Sequence, residues 1–246
     1  MNNTESNKSF MIETVRNDVH KYLEYYRAVY SKYLLADIPE FKLRYKLRKL
    51  QPTLKTVDEI KALSLAELKT IVSGCTKCGL YSTRKNIVFG SGSDKEKLVI
   101  IGEAPGADED ESGEPFVGRA GQLLTKMLSA IGIERENVFI CNVLKCRPPN
   151  NRDPLPDEIA KCSGYLDKQL EFLKPKYILA LGRIAAVRLL NKESTMKDLR
   201  EKIHSYKGIP VIVTYHPSAL LRNPNWKYPA WDDLKKLKEL LDKANE

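Results

Sequence analysis

Five cysteines are the first side chains of this 246-residue chain with an obvious chemical use: Cys75, Cys78, Cys141, Cys146 and Cys162. Cys75 and Cys78 form a C-x-x-C pair within Gly74-Cys75-Thr76-Lys77-Cys78-Gly79. A thioredoxin-type redox pair sits between a strand and a helix; this one follows a predicted helix and a glycine, so it fits that reading poorly. A metal or cluster site needs two further thiolates, which Cys146 and Cys162 can supply, and both zinc and iron–sulfur accept four sulfurs. An odd count in a chain without an export signal argues against a disulfide framework.

Three loops hold the other candidates. Gly102-Glu103-Ala104-Pro105-Gly106 continues through Ala107-Asp108-Glu109-Asp110 to Pro115-Phe116-Val117-Gly118. It lacks the G-x-x-x-x-G-K-[ST] pattern, and its acids would repel phosphate. It offers backbone amides beside carboxylates, and an aromatic at Phe116; the plain reading is an acidic surface loop with a core phenylalanine. The second loop holds Cys146, Arg147, Asn151 and Arg152, and Asn142 lies in the apolar strand before it. A buried amide needs partners. Asn142 either binds backbone or presents a donor and an acceptor to a planar ligand. The third loop begins Tyr215-His216-Pro217-Ser218 and runs through Leu220, Leu221 and Arg222 to Pro224. A lone histidine at a strand end is a weak signal; His20 and His204, on polar helical or loop stretches, receive no role.

The elements that must position these loops alternate. Ser64-Leu65-Ala66-Glu67 is a capping-box pattern that predicts a short helix to about Val72, with Gly74 as its C-terminal cap. Strands are expected at Leu98–Gly102, Val138–Leu144, Tyr177–Leu181 and Val211–Tyr215. Helices are expected at Gly118–Ile131, Asp157–Leu173, Ile184–Leu190 and Trp231–Leu241, the last with Trp231, Leu234, Leu237 and Leu241 on its inner face. This pattern implies a three-layer α/β/α fold with a four-stranded parallel sheet. Ligands of such sheets bind at the carboxyl ends of the strands, where the three loops fall.

Before this domain, at 61–246, residues 1–60 read as a basic, mainly helical extension. An aromatic stripe at helical spacing runs from Val15 to Leu34, and residues 41–55 hold six bases and no acids. That strip is either a solvated face or a phosphate-contacting one. The formal charge of +9 points weakly to a polyanionic partner. With 42% hydrophobic residues the composition excludes widespread disorder, and no apolar run approaches a membrane span. No leader pattern opens the chain, so an intracellular, cytoplasmic and nucleoid-associated monomer is expected.

From about Ser73 to Lys243 the sequence resembles the uracil-DNA glycosylase superfamily, specifically its family 4, the iron–sulfur-containing archaeal and thermophilic bacterial type. The resemblance rests on Gly102-Glu103-Ala104-Pro105-Gly106, Pro115-Phe116-Val117-Gly118-Arg119-Ala120-Gly121, Asn142 with Lys145-Cys146-Arg147-Pro148-Pro149, and His216-Pro217-Ser218. It implies a [4Fe–4S] cluster on Cys75, Cys78, Cys146 and Cys162, with Cys141 an ordinary strand cysteine. It implies hydrolysis of the N-glycosidic bond of deoxyuridine in DNA, as in base excision repair, after the base is flipped out of the stack. Phe116 is then expected to stack on uracil, Asn142 to read its edge, and Gly102, Glu103 and Ala104 to line it. His216 matches the histidine facing uracil O2.

Where better-known family 1 enzymes carry an aspartate, this chain has Ala104. Glu103 is therefore the expected water-activating carboxylate, with Asn151 bonded to it or to the water, and Glu109 an outside candidate. Leu220, Leu221 and Arg222 match the DNA-intercalating loop, with core packing the plain reading for one of the two leucines; Lys145, Arg147 and Arg152 are expected phosphate contacts. The extension is a candidate docking surface for a sliding clamp or other repair protein. The competing readings are a non-catalytic or polymerase-associated DNA-binding relative, and an iron–sulfur electron carrier.

Overall fold

A computed structural model describes residues 60–94, 97–192 and 194–243. The expected extension at 1–60, with its basic strip, its clamp-docking role and His20, lies outside the described residues except for Ile60.

Helix α1 (Leu65–Ser73) starts as its capping residues predict. Ser64 accepts from the backbone N–H of Glu67 (3.2 Å), and the Glu67 carboxylate reaches back to the N–H of Leu63 (2.8 Å). Two-residue β1 (Ser91–Gly92) precedes β2 (Leu98–Gly102), α2 (Ala107–Ser112), α3 (Arg119–Ser129) and β3 (Phe139–Asn142). Next come α4 (Pro156–Leu173), β4 (Tyr177–Leu181), α5 (Arg183–Leu190), α6 (Met196–Arg200), β5 (His204–Tyr206), β6 (Ile209–Thr214), α7 (Pro217–Arg222) and α8 (Lys227–Lys243).

The sheet order is β1-β3-β2-β4-β6-β5. Its centre, β3-β2-β4-β6, is parallel throughout, with Ile100 opposite both Ile140 and Leu179, and Leu179 opposite Ile212. The expected parallel strands are present, but the sheet is six-stranded and mixed, because β1 and β5 pair antiparallel at its edges. Both escaped the sequence reading because they are two and three residues long and carry no apolar run. His204 thus lies on a strand. Short antiparallel edges also shield the parallel core from open-edge pairing.

Alternation sorts the central strands between two apolar layers. Val99, Ile101, Ile178, Ala180, Val211 and Val213 face α1, α4 and α5. Leu98, Ile100, Ile140, Leu179 and Ile212 face α3, α7 and α8.

Two expectations about side-chain direction fail. Trp231 is 41% exposed, because α8 turns Ala230, Asp233, Leu234 and Leu237 inward. The buried Asp233 carboxylate receives Arg200 Nε at 2.6 Å, so the inner face of the helix carries an ion pair beside Leu234 and Leu237. Leu220, expected as a DNA wedge, is buried in the layer beneath α7, whereas Leu221 is 38% exposed. Leu220→Ala is therefore expected to cost about 2–5 kcal/mol in denaturant unfolding. Leu221→Ala should stay within about 0.5 kcal/mol of the parent.

Candidate active site and cysteine cavity

The loop leaving β2 folds around one carboxylate. Glu109, buried on α2, accepts from the N–H of Gly106 through Oε2 (3.0 Å), and from those of Val117 (2.9 Å) and Gly118 (3.0 Å) through Oε1. The outside catalytic candidate is thus occupied with backbone amides. Asp110 beside it accepts from the N–H of Lys85 at 3.0 Å, tying the loop to the segment that enters the sheet. The spacing of Glu109 three residues after Gly106, at a helix start, was the legible signal for this clamp.

The clamp holds Phe116 in an unusual state. Its φ is +54°, in the left-handed region that bulky residues avoid at a cost of about 1–3 kcal/mol. Its ring is buried and lies 5.5 Å from the His216 ring, tilted by 36°. Two glycines make room. A Cβ on Gly102 would collide with the Phe116 ring and Asn142 Oδ1, and a Cβ on Gly121 with the Phe116 carbonyl. Gly102 and Asn142 are register partners at the carboxyl ends of β2 and β3. Asn142 is buried, and its Oδ1 has no hydrogen-bond partner among the described residues.

His216 follows β6 and caps α7. Its Nδ1 accepts the Ser218 backbone N–H at 3.2 Å and lies 2.8 Å from Ser218 Oγ. An Nδ1 that accepts from a backbone amide places the ring proton on Nε2. Burial, and secondarily Arg222, pushes His216 down to about 4, so the ring is neutral at pH 7. Burial pushes Glu103 up to about 7, with Arg222 opposing. The same cation thus acts on both groups. Phe116, Asn142 and His216 gather around Gly102, the residue immediately before Glu103.

Other expected residues are engaged elsewhere. Asn151 is exposed, and its Oδ1 accepts Arg147 Nε at 2.8 Å. Arg152 forks onto the buried Glu158 carboxylate at 2.6 and 2.9 Å, anchoring the start of α4 rather than standing free for phosphate. Lys145 is fully buried and cannot reach DNA phosphate. Its Nζ donates to the Asn142 carbonyl (2.7 Å), which no strand partner takes up once β3 ends, and to Gln169 Oε1 (2.5 Å). Gln169 in turn donates to the Phe89 carbonyl at 2.9 Å.

Cys75, Cys78, Cys146 and Cys162 line one small cavity, while Cys141 is a buried strand residue outside it. Arg84 Nη1 donates to Cys146 Sγ at 3.3 Å, and Tyr165 and Lys145 line the same cavity. Burial raises the thiols of Cys78 and Cys146 and pushes Cys162 up to about 12. Burial by itself keeps these sulfurs protonated; Arg84, which donates to Cys146, and Lys145, which lines the cavity, are the positive groups that would offset the charge of a thiolate-ligated centre. Among the described residues no three His, Cys, Asp or Glu side chains converge closely enough to hold a metal ion. A single zinc would bring its sulfurs within roughly 3.8 Å of one another, given Zn–S bonds of about 2.3 Å. The sequence reading missed Arg84 and Tyr165, since their approach to sulfur is purely tertiary.

An α/β domain that gathers Phe116, Asn142 and His216 at the carboxyl ends of its parallel strands, and groups four cysteines around one cavity, defines a recognisable class. The family model for the uracil DNA glycosylase superfamily matches residues 89–235, and the chain belongs to that family. It is 46% identical over 188 residues to the Type-4 uracil-DNA glycosylase of Archaeoglobus fulgidus, covering 73% of this chain and 94% of that protein. The Sulfurisphaera tokodaii protein of the same name is 47% identical, covering 72% and 84%. That of Thermotoga maritima is 45% identical, covering 72% and 96%.

The clamp can be tested directly. Glu109→Gln replaces an acceptor of three amides by a group that is half donor. It is expected to destabilise the protein by about 1–3 kcal/mol, read as a lowered thermal midpoint.

Proposed function

We propose that the chain is a uracil-DNA glycosylase of the type-4 kind, which hydrolyses the N-glycosidic bond of deoxyuridine and leaves an abasic site in DNA. The observation that carries this reading is the buried, unpartnered Oδ1 of Asn142, set against the Phe116 ring. An acceptor without a partner costs about 1–3 kcal/mol, which a ligand N–H removes. Uracil supplies that donor at N3 and an acceptor at O4 for the amide NH₂. Cytosine has an acceptor at N3 and a donor at position 4, so both contacts would be lost.

The chemistry follows from the same side chains. Phe116 stacks on the flipped base while the backbone of Gly102, Glu103 and Ala104 lines it. As the C1′–N1 bond breaks, its electron pair passes to uracil and positive charge grows on the sugar. His216, neutral and protonated on Nε2, donates to uracil O2 and stabilises the departing anion; such a donor is typically worth about 100-fold or more. Water attacks C1′ and gives its proton to Glu103. The carboxylate also stabilises the cationic sugar, as in glycoside hydrolysis. Leu221, exposed on α7, fills the gap left in the stack, and Arg222 and Arg147 meet phosphates. Asn151 acts on this site through Arg147.

Cys75, Cys78, Cys146 and Cys162 would hold a [4Fe–4S] cluster. When bound, it supplies a structural cross-link between the loops around α1, the end of β3 and α4. The protein acts inside the cell as a monomer, on single- or double-stranded DNA. Among the described residues no helix is long and apolar enough to cross a membrane.

Incubation with uracil-containing DNA followed by alkali is expected to give strand scission at uracil; a cluster-loaded protein that gives none refutes the reading. A carboxyl raised to about 7 must lose its proton to act as base, so single-turnover rates should rise with pH up to about 7 and then level off. The His216 limb falls near 4, below that window. Glu103→Gln should lower the plateau by about 100-fold or more and abolish the limb near 7. Anaerobically prepared protein should be brown and carry about four irons per chain. Cys162→Ser should lose the colour and the iron, whereas colourless protein carrying zinc would overturn the cluster assignment.

A further inference from the structure

We infer that the indole of Trp226 is a stacking platform for a nucleotide base of single-stranded DNA adjoining the uracil, an interaction that rests on the uracil-DNA reading above. Trp226 closes the short turn Pro224–Trp226, directly after α7. Its ring stacks on Tyr215 with centroids 4.8 Å apart and planes 21° from parallel. The Arg200 guanidinium lies 4.4 Å from the Tyr215 centroid and must occupy the other face of that ring. Arg200 is itself fixed by Asp233 Oδ2 (2.6 Å) and the Pro229 carbonyl (2.5 Å). The result is a column of three planar groups, anchored on a buried ion pair and ending in an indole that is 40% exposed.

Its position and surroundings indicate the occupant. Tyr215 immediately precedes His216, so the column stands beside the base pocket, and Trp226 follows Leu221 and Arg222 on the same segment. Residues 215–231 contain Arg222 and Lys227 and no acid, which suits a phosphate backbone. Trp226 is flanked by Asn223, Pro224, Asn225 and Lys227 and followed by the exposed Tyr228, a rim of amides, a cation and a second aromatic that suits a base and its phosphates. A flat, rigid aromatic face within a basic surface is how proteins hold unpaired bases, whatever their sequence. Bases inside a duplex are already stacked on both faces and have none to offer. The platform therefore favours single-stranded DNA, or a strand opened around the flipped nucleotide.

The chain has only two tryptophans, so Trp231→Phe leaves Trp226 as the sole indole emitter. The full-length Trp231→Phe protein is titrated with labelled oligodeoxythymidylate and with a uracil-free duplex. Binding is followed by anisotropy of the DNA label and by quenching of the indole. Quenching is expected with the single strand and much less with the duplex. Trp226→Ala should weaken single-strand binding on the order of 10-fold, with an unchanged salt slope, because no ionic contact is lost. Trp226→Phe should keep most of the affinity. Single-strand binding without quenching, or an alanine variant as tight as its parent, overturns the proposal. The quenching result uses protein that retains Trp226 and so does not depend on how the alanine variant folds. These readouts need no uracil, so a protein that quenches normally but releases no uracil would refute the glycosylase reading alone.

Discussion

Three backbone amides aimed at the Glu109 carboxylate hold the whole active-site loop in place. Gly106 lies at the start of α2, and Val117 and Gly118 lie just before α3, so one side chain joins the two ends of a loop that would otherwise gape. Ionised carboxylates accept backbone N–H groups about twice as strongly as neutral acceptors do. That strength sustains Phe116 in a backbone conformation it would not adopt by itself. The cost of the strained φ falls on Phe116 and is offset at Glu109. The apolar layer beneath α7 packs the ring, Arg135 holds the Pro115 carbonyl beside it, and the clamp fixes the backbone that follows.

A second constraint works from the opposite face of the sheet. At the end of β3, the Asn142 carbonyl turns to Lys145 Nζ, and the next residue is Cys146. A single turn thus presents an amide to the base pocket and a thiol to the cysteine cavity. Lys145 also lines the cysteine cavity, so this residue touches both regions. Its burial is not explained by DNA contact; it is explained by the need to satisfy a strand-end carbonyl next to a group of sulfurs.

The central fold was legible because parallel strands buried on both faces leave unbroken apolar runs such as Leu98–Gly102 and Tyr177–Leu181. The edges were not, since β1 and β5 are set by pairing with a neighbour and carry no pattern of their own. In the site, strand ends pointed to the three loops, and the family resemblance singled out Gly102, Glu103, Phe116, Asn142 and His216 within them, which lie at or just beyond the strand ends. What sequence could not rank was competition between partners. Arg152 is bound by Glu158, Lys145 by Gln169, and Leu220 by the core, and each resembles a DNA contact until its neighbour is known. Likewise, the apolar spacing of the last helix favoured Trp231 inward, whereas its inner face holds Ala230 and the buried Asp233 paired with Arg200, and Trp231 is part exposed.

The glycines around Phe116 have one more consequence. Gly102 and Gly121 form walls of peptide rather than of side chain, and their missing Cβ atoms define the space in which the ring and the Asn142 amide sit. A wall built of side chains can change shape by hopping between rotamers, and it does so more often as temperature rises. A wall of main chain, locked into a sheet register on one side and a helix start on the other, has no such freedom. The part of the outline set by peptide should therefore hold constant on warming until the sheet itself gives way, leaving only Phe116, Asn142 and His216 free to shift.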